Sequence, residues 1–152
     1  MLKMKKILVP IDGTELAAHV LGHVRRLLLR QDAQVMLVFV RPLPRPGQSP
    51  IIGLELARSA QRYLGQLKRS FLKYGTSADF RILDGDSARE ILAFAETYKP
   101  SLIAMATHGR TGVKRFFSDS VTETVLRKSP FPVLALNPLA AGCKSNREQN
   151  YR

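Results

Sequence analysis

The chain is poor in cysteine, in acidic residues and in long apolar runs. Its single cysteine, Cys143, has no partner for an internal disulfide, which fits a reducing cytosol and excludes a cysteine-based metal cluster. No apolar run approaches the roughly 18 residues of a membrane span, so we predict no membrane partner. The apolar stretch after Lys6 is too short for a signal peptide and ends at Asp12. These absences together predict a cytoplasmic protein.

Basic residues outnumber acidic ones by 24 to 12, and the formal net charge is +12. Such an excess attracts anionic partners, among them nucleic acid, membrane surfaces and phosphorylated small molecules, but it also keeps outer helix faces soluble. We favour solubility as the main reason for it. With 152 residues and a hydrophobic fraction of 45%, the chain is large and apolar enough for one domain with its own core.

Five short apolar stretches have the pattern of buried strands, and helical patterns separate them. The predicted strands are residues 6–11, 34–40, 80–83, 102–106 and 133–136. The third alternates less cleanly than the others, which is consistent with a sheet edge. Regular alternation of strand and helix predicts an α/β fold, with a parallel sheet, helices on both faces and right-handed crossovers.

Helix boundaries are marked by capping residues and by proline and glycine. The predicted signals are Asp12 with Glu15, Ser49 before Pro50, Gly75 as a C-terminal stop, Ser87 with Glu90, and Ser120 with Glu123. The positions predicted to pack inward are Ala17, Val20, Leu21, Val24, Leu27, Leu28, Ala57, Ala60, Leu64, Leu67, Phe71, Ala88, Ile91, Leu92, Ala95, Tyr98, Val121, Val125 and Leu126. The apolar stripes therefore place one helix after each of the first four strands.

Two outward-facing sets of residues could bind a ligand. His19 and His23 are four residues apart, a spacing that can hold a metal, but no third ligand follows in sequence, so we interpret them as solvent-facing and predict no metal site. Arg58, Arg62, Arg69 and Lys73 form a basic stripe on the second helix. No aromatic residues interleave with the stripe to stack bases, so at most weak, nonspecific nucleic-acid binding is predicted.

The stretch 102–112 is a buried strand that opens into His108, Gly109 and Gly112. Glycines there permit positive φ and close approach of the backbone to an anion, although glycines after a strand are often only turn residues. If the first and fourth strands are neighbours, this loop and Asp12 share the point at which ligands bind in open α/β sheets. Ser120 lies where a helix N-terminus can bind phosphate, and it also fits a simple capping role.

Asp12 can accept hydrogen bonds from a ligand, or serve only as a helix cap. His108 can donate a hydrogen bond to phosphate. No nucleophile and base occur together at a recognisable spacing, and no phosphate-binding P-loop motif is present. The residues therefore predict binding rather than catalysis, and no enzyme activity is predicted.

Four segments in order carry a resemblance to the universal stress protein family: residues 5–14, 105–112, 118–127 and 130–134. The resemblance extends over about residues 3 to 137. It implies a Rossmann-like fold with a five-stranded parallel sheet of order 3-2-1-4-5, often dimeric through the fifth strand, here Val133–Leu136. It also implies a role in the stress response and, in many members, binding of ATP or AMP.

The glycine pattern of the nucleotide-binding members is only partly retained in this chain. Gly109 matches the second glycine and Ser120 the terminal serine, whereas Ala106 replaces the first glycine and Asp119 the third. Asp119 places a carboxylate where the family offers N–H groups to phosphate, so we expect AMP or ADP to compete well with ATP unless a Mg²⁺ ion bridges the carboxylate and the phosphates. The nucleotide-binding positions that the resemblance implies are Pro10, Asp12, Val40, Met105, Ala106, His108, Gly109, Gly112, Asp119, Ser120 and Val121.

Two functions remain open at this point. The first is a regulatory protein of the stress response that binds an adenine nucleotide, and the retained glycines favour it. The second is a dimer that does not bind nucleotide and docks an anionic partner, which Ala106 and Asp119 favour. We prefer the first. A slow ATPase is a distant third, because nothing positions an attacking water. The domain is predicted to comprise residues 1–138, and the polar residues 139–152 a disordered tail.

Overall fold

A computed structural model describes residues 5–28, 32–107 and 121–137. Its strands are β1 (Lys6–Pro10), β2 (Gln34–Arg41), β3 (Ser77–Asp84), β4 (Leu102–Ala106) and β5 (Val133–Leu136). Its helices are α1 (Glu15–Leu28), α2 (Pro50–Lys73), α3 (Ser87–Tyr98) and α4 (Val121–Lys128). The predicted tail, 139–152, lies outside the described residues and stays a prediction.

The five strands form one parallel sheet in the order β3-β2-β1-β4-β5, which confirms the predicted fold. Ile7 of β1 is in register with Val35 of β2 on one side and with Leu102 of β4 on the other. The chain therefore leaves the centre of the sheet in one direction through α1 and α2, and in the other through α3 and α4. β1 lies where the direction reverses.

Alternate residues of each strand pack on opposite faces of the sheet, as the strand period of two requires. Ile7 and Val9 are fully buried against the cluster that includes α1 and α2. Leu8, between them, is fully buried against the cluster that includes α3 and α4. Helices thus cover both faces, which is why β1 is apolar at successive positions.

The start of α1 differs from the prediction, because Asp12 does not cap the helix. The helix begins at Glu15, and the hydroxyl of Thr14 accepts a hydrogen bond from the N–H of Ala17 at 3.3 Å. That bond satisfies one of the open N–H groups of the first turn, so Thr14 is the capping residue. Asp12 instead accepts hydrogen bonds from Thr14.

The cap of α3 is also corrected. Asp86, not Ser87, accepts a hydrogen bond from the N–H of Arg89 at 2.9 Å, and Ser87 is the first residue of the helix. Both residue types make good caps, so the sequence alone permits a shift of one position. The predicted cap at Ser120 lies outside the described residues.

The boundaries of α2 are confirmed at both ends. Ser49 caps the helix before Pro50, and the helix ends at Lys73, two residues before Gly75, which has φ +74°. The N–H of Gly75 donates to the carbonyl of Leu72, and the N–H of Thr76 donates to that of Phe71. This pair of bonds is the Schellman arrangement, which requires a residue that tolerates positive φ.

Three predictions about packing need correction. β3 is twice as long as the predicted 80–83. It has exposed residues because it is an edge strand, which among the described strands pairs only with β2. Leu27 is 38% exposed and Leu126 is 48% exposed, although both fall near the apolar stripes of their helices. Each lies at the margin of its stripe, where the sheet no longer covers it.

No described helix is long and apolar enough to cross a membrane.

Candidate functional site

The carboxyl ends of β1, β2 and β4 lie at one edge of the sheet, around the position where the chain reverses direction. The N–H of Ile11, just after β1, donates to the carbonyl of Val38 at 2.8 Å. Pro10 is in register with Val38, so β1 ends slightly before β2 does. In open α/β sheets the crevice outside such a reversal point is the place where ligands bind.

Asp12 lies two residues after the end of β1 and is held by a tight turn. Its Oδ1 accepts hydrogen bonds from the N–H of Thr14 at 2.9 Å and from the hydroxyl of Thr14 at 2.6 Å. Gly13, between them, has φ +83°, a conformation that other residues rarely adopt. The carboxylate is exposed and fixed in position at the edge of the sheet.

The negative charge of Asp12 affects the pKa of Tyr63, a residue that was not predicted from the sequence. Burial raises the pKa of Tyr63 on α2, and the negative charge of Asp12 raises it further. Tyr63 also packs partly against the cluster that includes α1. The only sequence signal for this residue is its position, one residue before Leu64 on the inner stripe of α2. Thr14, which donates two hydrogen bonds to Asp12, belongs to the site.

The end of β4 is joined to the start of α4 by a buried threonine that the sequence analysis also missed. The hydroxyl of Thr122 donates to the carbonyl of Ala106 at 2.8 Å, and Thr122 is 8% exposed. The N–H of Thr107 donates to the carbonyl of Leu136, so the chain leaving β4 is also tied to β5. These bonds fix the first turn of α4 beside the end of β4.

Three of the predicted apolar positions of the site lie on one side of the sheet. Val40, Met105 and Val121 all pack in or against the cluster that includes α3, whereas Ala106 packs against the opposite cluster. Val40 and Val121 are half-buried and Met105 is 4% exposed. These side chains provide an apolar wall beside the edge at which Asp12 lies.

The structure therefore brings six predicted site residues to one edge of the sheet: Pro10, Asp12, Val40, Met105, Ala106 and Val121. The other five lie outside the described residues, and their roles stay predictions: His108, Gly109, Gly112, Asp119 and Ser120.

An ion pair ties the neighbouring end of β2 to β3 and α2. Arg41 donates to the carboxylate of Asp84 through Nε, and to the carbonyl of Gly53 through a second nitrogen at 3.0 Å. The hydrogen bond from Arg41, with the charge of its guanidinium, lowers the pKa of Asp84 below its ordinary value. Among the described residues, no three His, Cys, Asp or Glu side chains are grouped to hold a metal.

The fold defines an open α/β protein of the Rossmann-like class, and the reversal point of its sheet lies at this edge. The model of the universal stress protein family matches residues 3–137, nearly the whole chain. The chain belongs to the universal stress protein family.

Individual relatives agree with that assignment. Universal stress protein MJ0531 of Methanocaldococcus jannaschii is 32% identical over 138 residues, a match covering 87% of this chain and 81% of the relative. The solved structure of protein MJ0577 superposes with a TM-score of 0.77 at 30% identity, covering 90% of this chain and 97% of that one. A universal stress protein of Arabidopsis thaliana, solved with AMP bound, gives a TM-score of 0.69 at 13% identity, covering 93% and 97%. At that identity the Arabidopsis structure supports the fold alone.

Proposed function

We propose that this universal stress protein binds an adenine nucleotide at the carboxyl edge of β1, β2 and β4, and that nucleotide occupancy regulates its role in the stress response. The observation that carries the proposal is the fixed position of Asp12 at the reversal point of the sheet. Thr14 holds one carboxylate oxygen with two hydrogen bonds, at 2.9 and 2.6 Å. The side chain therefore presents an ordered acceptor to a ligand hydroxyl or amine.

The apolar wall of Val40, Met105 and Val121 suits the other part of such a ligand. An adenine ring has an apolar face and a polar edge, and binding sites for such groups combine apolar walls with a few oriented polar atoms. We assign the wall to the ring and Asp12 to a hydroxyl of the ribose or to the edge of the ring. Phosphate binding is left to residues 108–120, whose glycines and serine suit an anion.

Support also comes from the family. The Arabidopsis protein, which shares the fold, was solved with AMP bound. The proposed ligand of this chain is AMP or ATP, with Mg²⁺ as an accompanying ion for ATP only. The role is regulatory, because the groups at the edge supply an acceptor and apolar contact, and we assign them no chemical step.

Titration calorimetry of the purified protein with AMP and with ATP, each with and without magnesium, tests the proposal. We expect saturable one-site binding of AMP, with ATP no tighter than AMP when magnesium is absent. Mass spectrometry of small molecules released from the freshly purified protein provides an independent check. Absence of any adenine nucleotide in both experiments would contradict the proposal.

We further propose a homodimer through β5. This strand pairs only with β4 among the described strands, and its four residues are all half-buried. An apolar sheet edge of this kind is normally covered, and pairing two copies about a two-fold axis is the simplest closed solution.

The backbone of β5 provides a variant that tests the dimer. The carbonyls of Pro132 and Leu136 accept hydrogen bonds from the β4 side, so the intervening Ala135 directs its own N–H away from β4. We expect Ala135→Pro to leave the β4 pairing intact and to convert dimer to monomer in sedimentation at micromolar concentration. A wild-type protein that sediments only as monomer would contradict the dimer.

The second candidate function is an interaction module for an anionic partner, and the basic stripe on α2 favours it. Arg58, Arg62, Arg69 and Lys73 are all exposed on the outer side of that helix. We expect the stripe to give weak nucleic-acid binding that fades with salt, since only phosphate contacts are available. Filter binding to single-stranded DNA between about 0.05 and 0.3 M salt measures this. Sequence-specific binding that survives the higher salt would show that the stripe is a dedicated nucleic-acid site.

A further inference from the structure

The segment between β2 and the middle of α2 projects from the body of the protein. Residues 42–56, here called the α2 tip, are all exposed except Gly53, which is half-buried. The first buried residue of α2 is Ala60. The first two turns of the helix therefore extend past the sheet, and the preceding loop lines one groove with them.

The tip carries five large aliphatic side chains that the core does not need. Leu43 is 66% exposed, Ile51 63%, Ile52 50%, Leu54 57% and Leu56 37%. At about 100° per residue, the four on the helix spread over roughly 200° around its axis, which is wider than the roughly 100° stripe of a helix packed against one neighbour. Exposed apolar groups this close together mark a contact surface.

Basic residues accompany the aliphatic ones. Within residues 42–62 the only acidic side chain is Glu55. In the described part of the chain Arg41 is paired with Asp84, whereas the guanidinium groups of Arg45, Arg58 and Arg62 form no ion pair. The surface is thus both apolar and positively charged.

Few backbone N–H groups of the tip are left open. Four of its residues are prolines, which have no N–H: Pro42, Pro44, Pro46 and Pro50. Ile51 and Ile52 donate to the side chain and the carbonyl of Ser49, at 3.3 and 3.2 Å. Arg45 and Gln48 donate to each other, at 3.0 Å in both directions. Where backbone N–H groups are already hydrogen-bonded, or are absent as in proline, moving the backbone out of water costs less free energy.

We propose that the α2 tip binds the surface of an anionic phospholipid membrane. The aliphatic side chains enter the region between headgroups and acyl chains, and Arg45, Arg58 and Arg62 contact the anionic headgroups. The contact is peripheral and needs no membrane span, but it goes against the sequence-based prediction of no membrane partner. It does not depend on nucleotide binding.

Two other occupants fit the surface less well. A second copy of the chain about a two-fold axis would bring the same arginines close to each other, which opposes association. An acidic helix of another protein would cover one side of the tip and leave the aliphatic groups on the other sides in water. A lipid interface surrounds an inserted tip, so it accommodates all of them.

Flotation of the full-length protein with vesicles tests the proposal. The vesicles are pure phosphatidylcholine, or phosphatidylcholine with about 30% phosphatidylglycerol, a content that gives the negative surface potential attracting basic segments. We expect binding to the second kind only, at about 0.1 M salt, where the Debye length is about 10 Å. The double variant Ile51→Gln, Leu54→Gln should bind at least about tenfold more weakly, since each loses an inserted aliphatic group. Arg58→Gln should weaken binding by about fivefold.

A matched control lies on the same helix. Leu72 is 51% exposed near the opposite end of α2, and Leu72→Gln should leave binding unchanged. Circular dichroism of each variant checks that it folds.

Three results would overturn the proposal. They are no binding to the anionic vesicles, equal loss in the Leu72 variant, or full binding by the double variant. If the protein does not bind vesicles and the double variant differs from the wild type in oligomeric state, the tip is an interface with a second copy of the chain. Weaker DNA binding by that variant, again without vesicle binding, would assign it to nucleic acid.

Discussion

Replacing Asp12 with asparagine should weaken AMP binding by about ten- to a hundredfold without unfolding the protein. Asparagine keeps one oxygen to accept the hydrogen bonds that Thr14 now donates to Oδ1. Its second oxygen becomes an NH₂ group, so the charged acceptor proposed for the ligand is lost. Hydrogen bonds to charged groups contribute about 1.5–3 kcal/mol, and tenfold in affinity corresponds to about 1.4 kcal/mol.

Asp86→Asn is the matched control for this experiment. Asp86 also accepts a local hydrogen bond at the start of a helix, from the N–H of Arg89, but it follows the edge strand β3. Two strand spacings of about 4.8 Å separate β3 from β1 in the sheet. Calorimetry should show unchanged AMP affinity for the control. Equal affinity of the Asp12 variant and the wild type would place the nucleotide away from this carboxylate.

Replacing Asp119 with glycine should tighten ATP binding by about tenfold and change AMP binding little. The family resemblance aligns Asp119 with a glycine beside the outer phosphates. At about 5 Å, with an effective dielectric near 20, each unit of like charge costs roughly 3 kcal/mol before screening and relaxation. If screening and relaxation reduce this repulsion to about 1.4 kcal/mol, its removal tightens ATP binding about tenfold. AMP keeps its charge farther away, so its affinity should not respond.

Asp32→Gly separates local repulsion from the change in net charge. Asp32 is exposed just before β2, at the opposite edge of the sheet, and its loss changes the net charge by the same amount. We expect no selective gain for ATP in that variant. Magnesium should reduce the difference between the wild type and the Asp119 variant, because the ion can bridge carboxylate and phosphate. Equal ATP affinities without magnesium would mean that the phosphates do not approach this position.

Much of the fold follows from local patterns in the sequence. Continuous apolar runs such as Leu102–Ala106 predict strands that are buried on both faces, and the helical stripes between them require a parallel sheet. The ends of α2 are fixed by Pro50 and Gly75, whose backbone preferences are intrinsic to the residue. The strand order was predicted from the family resemblance, because local patterns alone do not specify it.

The site could be predicted only in outline. Asp12 was identified by its position after a buried strand, and that position is confirmed. Thr14, Tyr63 and Thr122 were missed, because each is an ordinary residue on a helix or at its start. Only the packing of α1, α2 and α4 against the sheet brings them beside Asp12 and Ala106. The five predicted residues between 108 and 120 stay predictions.

Residue type and spacing thus determined which segments are strands and helices, because hydrogen bonding and apolar periodicity act over a few residues. The tertiary structure decided how far along each helix the cover extends. Leu64 and Leu54 are both leucines of α2, yet Leu64 is fully buried and Leu54 is 57% exposed. The sheet ends before the first two turns of α2, and no local pattern records where a neighbouring element ends. The later turns of α2 therefore belong to the core, and its first two turns form a surface available to a partner.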